Sequence, residues 1–126
     1  MGLITAMLTL SNPRRTDLEP VQADALADTG SVYLIIPEHV RLQLALEATV
    51  MKEVTLADGS KRMVPYVGPI ETHFKNQVAY VGAVVMGDEV LLGAISMEDM
   101  DLVLIPHRRQ IDINPDNPNF AAARAK

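Results

Sequence analysis

Cysteine is absent from this 126-residue chain, which excludes a disulfide framework and thiol chemistry and suits a reducing compartment. Tryptophan is absent too, and three tyrosines and two phenylalanines are the whole aromatic complement. Any core must therefore be aliphatic. Hydrophobic residues make up 48% of the chain, enough to pack one domain from Val, Leu, Ile and Met. No basic run exceeds Arg14-Arg15 or Arg108-Arg109, and the net charge is −5. That balance argues against nucleic acid, whose binding needs clustered cations to displace counterions. No apolar stretch approaches the ~20 residues of a membrane-spanning helix. The first ten residues lack the charged start and unbroken apolar run of a signal peptide. Ala6 stands where a myristoylation signal needs Ser or Thr. There is no Gly-rich phosphate loop. The expectation is a cytoplasmic protein with neither membrane nor nucleic acid as partner.

What is present reads mainly as strands. Leu3 to Leu10 places Thr5 and Thr9 on one parity and runs into the turn signal Ser11-Asn12-Pro13-Arg14. Leu18 to Ala27 is a second strand, with Pro20 marking an edge or bend. Val32-Tyr33-Leu34-Ile35-Ile36 suits a strand buried on both faces. Pro37 and Glu38 then open a short helix with Val40 and Leu44 on one apolar stripe. Val54 and Leu56 lead to Asp58-Gly59, a hairpin signal, and Met63 to Val67 returns. Pro65 argues against a central position for that return arm. A second hairpin is expected at Lys75-Asn76, with Gln77 to Met86 as its long arm. Gly87-Asp88 turns the chain into Val90-Leu91-Leu92-Gly93. Ser96 with Asp99 reads as a capping box for a short helix. Leu102 to Ile105 is a last strand, stopped by Pro106. The division is one domain over 1–106 and an irregular, polar, Pro/Asn-containing tail over 107–126.

Chemistry centres on Asp28-Thr29-Gly30. An Asp-Thr/Ser-Gly triplet arises by chance in roughly one chain of this length in twenty. Its bland reading is a turn in which Asp accepts backbone N–H bonds and Gly takes positive φ. The flanks tilt the balance, because a carboxylate that activates water must be held rigidly and partly desolvated. Ala25-Leu26-Ala27 enters the loop and Val32 to Ile36 leaves it. With Ser31 completing the loop, Leu56 to Lys61 as a flap tip and Val90-Leu91-Leu92-Gly93 before a small helix, the sequence resembles the retropepsin-like aspartic peptidases, small bacterial members especially. The resemblance spans roughly residues 3 to 106. It departs from retroviral members in having one glycine, Gly59, in the hairpin tip, and in continuing beyond Ile105.

The resemblance implies a closed β-barrel subunit with a flap hairpin and one or two short helices, acting as a homodimeric aspartic endopeptidase on peptide or protein substrates without a cofactor. Asp28, Thr29 and Gly30 would be catalytic. The Thr29 hydroxyls would bond across the dimer, and Ser31 would donate to Asp28. Ala57, Asp58, Gly59 and Ser60 would cover the substrate, and Val32, Met63, Met86 and Leu91 are candidates for its apolar walls, although such residues are more often core. His39, His73 and His107 are dispersed, so no metal site is expected. Glu38, Glu47 and Glu53 read as solvated faces, and Asp99 and Asp101 as flanks of a short helix. The main rival is a non-catalytic module keeping the same fold for dimerisation or peptide binding. A small double-stranded nucleic-acid-binding β module is a third reading, opposed by the acidic balance.

Overall fold

The computed structural model describes residues 4–48 and 50–125. Leu3, where the first expected strand begins, lies outside them. Strand β1 (Thr5–Ser11) alternates cleanly, burying Ala6, Leu8 and Leu10 while Thr5 and Met7 face solvent, the period-2 pattern of a half-buried strand. It pairs antiparallel with β2 (Val21–Ala27), which starts just after Pro20. The loop at Asp28 leads to β3 (Leu34–Ile36), and Pro37 caps α1 (Glu38–Gln43), which buries Val40. A hairpin of β4 (Val50–Thr55) and β5 (Lys61–Phe74) follows, then β6 (Gln77–Val85), β7 (Leu91–Leu92) and α2 (Ala94–Asp99). The described chain ends with β8 (Leu102–Ile105), a 3-10 turn at Pro106–Arg108, β9 (Gln110–Ile113) and an extended run.

Six strands close into a barrel in the order β1-β2-β7-β3-β6-β5, with β5 returning to β1 through Thr9↔His73 and Ser11↔Glu71. Closure leaves no free edge in the ring. The protein is mainly β, with two short helices. Leu8, Leu10, Leu34, Ile36, Ile70 and Leu92 fill the interior at 0% exposure, an aliphatic core as the composition requires. Asn12 is buried among them. Its Nδ2 donates to the Leu44 carbonyl at 2.9 Å and its Oδ1 accepts from the Arg14 N–H, tying the turn after β1 to the end of α1.

Three expectations need correction. First, β5 is one long strand and not a short return arm. Pro65 is accommodated because only β4 pairs there (Met51↔Pro65), while pairing to β6 begins at Tyr66↔Val84. A register shift between Val67 and Ile70 then bends the strand into the barrel. Second, Ser96 is no cap. Gly93 occupies that position, Ser96 is fully buried inside α2, and the first helical N–H groups donate to loop carbonyls (Ala94 to Ser31, 2.8 Å; Ile95 to Val32, 3.0 Å). Those carbonyls satisfy donors that a side-chain cap would otherwise take. Third, the segment beyond Pro106 is not wholly irregular. β9 pairs antiparallel with β8 and buries Ile111 at 3% exposure.

Half-buried Asp101, in the turn after α2, clasps the C-terminal run. Its carboxylate accepts from Ala122 N–H (3.1 Å), Asn117 Nδ2 (2.8 Å) and Asn114 Nδ2 (3.2 Å), and its carbonyl accepts from Asn114 N–H. These donors, Ala122 first, hold the Asp101 carboxyl below the usual carboxylate range. A depressed folded-state value means the clasp contributes fully above the unfolded value near ~4 and is lost as pH falls through the folded one. Protection of the amides at 114–122, compared with those of β5 and β6, will therefore drop as the pH falls below the ordinary carboxylate range. Asp101→Asn, which tolerates the positive φ of 54° there, will lower the same protection already near neutral pH. Protection that ignores both pH and the substitution would contradict the clasp.

Candidate active site

Strand β7 is inserted between the two strands that flank the Asp28 loop. Leu26↔Leu91 and Ala27↔Leu92 pair it in parallel with β2, and Ile35↔Leu91 pairs it antiparallel with β3. The loop backbone is fixed at its root by Asp28 N–H to the Leu92 carbonyl at 3.0 Å. Ser31 N–H closes the turn onto the Asp28 carbonyl at 3.0 Å. The carboxylate is oriented within its own loop: Oδ1 accepts from Gly30 N–H at 3.0 Å, and Oδ2 from the Ser31 hydroxyl at 2.9 Å. Asp28 and Ser31 are half-buried, while Thr29 and Gly30 are exposed. The loop thus presents one oriented carboxylate at an open surface.

Gly93 makes this packing possible. A Cβ there would lie 2.3 Å from the Tyr33 carbonyl oxygen and 2.8 Å from that of Ser31, both backbone atoms that cannot swing aside. The apolar-apolar-Gly element is therefore brought against the Asp28 loop, and α2 starts where it can take the loop's carbonyls.

The face opposite the core carries a row that the sequence reading missed except for Leu91. Register aligns Leu26, Leu91, Ile35, Val84 and Tyr66 across β2, β7, β3, β6 and β5. Their neighbours Ala25, Leu92, Leu34, Ile36, Ala83 and Val85 point into the core. Leu26, Leu91 and Ile35 are half-buried, so an apolar floor runs from the loop toward the β4–β5 hairpin. Counting by twos from the core positions is the sequence signal for it.

Other anticipated residues sit farther out. Val32 and Met63 are each 56% exposed, and Met86 is half-buried just after β6, its N–H bonded to the Ile36 carbonyl. Ala57, Asp58, Gly59 and Ser60 form the exposed hairpin tip. Gly59 has φ 86°, and Asp58 Oδ1 accepts from the Ser60 N–H and hydroxyl, which hold its carboxyl below the usual range. Among the described residues no hydrogen bond joins this tip to the Asp28 loop. An open hollow of about 760 Å³ lies between Thr29, Ala94, Met97 and the C-terminal Ala122–Arg124 run. Among the described residues no three His, Asp or Glu side chains gather to hold a metal ion. No helix there is long and apolar enough to cross a membrane.

One half-buried carboxylate with two fixed donors can exchange a proton with a bound water, but the loop supplies only one such group. Its rigidity depends on Gly93. Gly93→Ala will destabilise the fold by about 1–3 kcal/mol in chemical denaturation, since overpacking against backbone forces strands apart. It will also shift the amide resonances of residues 28–33. Wild-type stability with unmoved resonances would show that the contact is not tight. No family model matches this chain, and a search of curated proteins finds no match.

Proposed function

We propose that the chain is one subunit of a homodimeric aspartic endopeptidase, as its resemblance to the retropepsin-like peptidases implies. The observation that carries this reading is the Asp28 carboxylate, held by Gly30 N–H and the Ser31 hydroxyl and set beside an exposed Thr29. A two-fold axis through that surface brings two Asp28 side chains together, with the two Thr29 hydroxyls bonded across the interface. Two adjacent carboxylates resist ionising together, so the pair holds one proton. The ionised member takes a proton from water, and the resulting hydroxide adds to the peptide carbonyl carbon. The neutral member gives its proton to the carbonyl oxygen. Collapse of the tetrahedral diol then breaks the C–N bond: the member that took the water proton gives it to the amine nitrogen, and a diol hydroxyl returns a proton to the other member.

The apolar row supplies a floor for substrate side chains. Among the described residues strand β4 pairs with β5 alone, which leaves its other edge to receive an extended peptide by strand addition. Met63 and Val32 are then exposed apolar groups beside that path, and Ala57 to Ser60 form the tip that covers it.

Sedimentation at micromolar concentration will give twice the 13.8 kDa chain mass. Asp28→Asn keeps the shape of the side chain but removes its charge and shareable proton. It will lower cleavage of unstructured, apolar-rich peptides by at least ~10³-fold while the dimer persists. Cleavage that survives the substitution would exclude Asp28 as the catalyst. A dimer that cleaves nothing over the whole pH range would make the chain a non-catalytic dimerisation or peptide-binding module.

A further inference from the structure

The β4–β5 hairpin projects beyond the barrel, since β5 meets β6 only from Tyr66 onward. Lys52, half-buried on β4, reaches back across that gap. Its Nζ lies 4.8 Å from the Tyr66 ring centroid and 5.3 Å from that of Tyr33. The two rings meet edge to face, with centroids 5.6 Å apart. Both distances fall within the range in which an ammonium is attracted to an aromatic face.

The two rings belong to different parts of the molecule. Tyr66 is on the hairpin's own β5, and it lies so closely over Gly82 that a Cβ there would come 2.1 Å from its hydroxyl oxygen. Tyr33 belongs to the bend between the Asp28 loop and β3, the segment whose carbonyl is packed against Gly93. Lys52 has no carboxylate partner among the described residues. Glu53, its neighbour, pairs instead with Lys61 at 3.8 Å. The aromatic faces are therefore the partners that fix this ammonium.

We propose that Lys52 is a positioning residue: its ammonium, seated on Tyr33 and Tyr66, couples the hairpin to the Asp28 loop and sets how closely the hairpin lies over the apolar row. The consequence for peptide cleavage rests on the peptidase reading, whereas the coupling itself does not. A hairpin tethered this way yields when a chain enters and then recloses, because the side-chain contacts that join it to the loop are each of modest strength. Lys52→Met removes the charge but keeps most of the stem, so folding is preserved. Lys52→Arg keeps a cation that stacks on aromatic rings.

Amide exchange over residues 50–64 decides the coupling. Lys52→Met will speed exchange there by roughly 5-fold, the effect of losing a partly buried cation–π contact, while β6 is unchanged. Lys52→Arg will restore wild-type rates. Tyr33→Leu will reproduce the Lys52→Met effect, and the double variant will exchange no faster than either single one, as partners in one interaction require. With peptide substrate, Lys52→Met will raise KM several-fold more than it lowers kcat. Hairpin exchange that is unaffected by Lys52→Met, or that Lys52→Arg fails to restore, overturns the proposal. Loosened exchange with no cleavage by any form would leave the coupling standing and count against the peptidase reading alone.

Discussion

Leu91-Leu92-Gly93 runs between the two strands that flank the Asp28 loop, and the candidate site hangs on that insertion. Without it, β2 and β3 would have no common neighbour, and the residues between them would form an ordinary surface turn. With it, backbone groups that would otherwise be stranded are paired. Asp28 N–H reaches the Leu92 carbonyl, and the Ser31 and Val32 carbonyls receive the first N–H groups of α2. Buried polar backbone must be paired, so the loop has little freedom to relax. The close approach at Gly93 removes what remains, leaving the half-buried Asp28 carboxylate fixed beside exposed Thr29. Rigidity of this kind is what a carboxylate needs if it is to hold a water in one geometry.

The same strands serve two purposes on opposite faces. Leu34, Ile36, Ala83 and Leu92 build an interior that needs no tryptophan, because aliphatic side chains at alternate positions interdigitate across a small closed barrel. Leu26, Leu91, Ile35 and Val84, one residue out of phase, make the apolar floor beside Asp28. Around this fixed body lie two attachments, the β4–β5 hairpin and the C-terminal run. Side-chain contacts secure each: Lys52 and the Tyr33–Tyr66 pair at the hairpin, and at the C-terminal run the three hydrogen bonds to the Asp101 carboxylate with that of Asn76 Nδ2 to the Pro118 carbonyl. Elements held so lightly are the ones able to move when a ligand or a second subunit arrives.

Much of the architecture was legible because its causes are local. Period-2 burial marks β1, Pro37 marks the start of α1, and the hairpin turn at Asp58-Gly59 follows from a glycine that adopts positive φ without strain. Asp28 stood out because apolar strands on both sides frame it. What escaped depends on distant partners. Pro65 argues against a central strand, and only the β6 pairing that begins at Tyr66 shows that the same strand runs on past it into the barrel. Ser96 reads as a cap until the Ser31 and Val32 carbonyls are seen to take that role. Ile111 carries a strand signal too brief to separate from its charged flanks. The pairing of Lys52 with Tyr33 and Tyr66 links segments that no local spacing connects.

The central claim is that two Asp28 side chains, one from each copy, form a single catalytic unit. Mixing wild-type chain with Asp28→Asn chain under exchanging conditions, at constant total concentration, tests this directly. If both carboxylates are required, every mixed dimer is inactive, and peptide cleavage falls as the square of the wild-type fraction. Cleavage that falls in simple proportion to that fraction would mean that each Asp28 works alone, and would contradict the account.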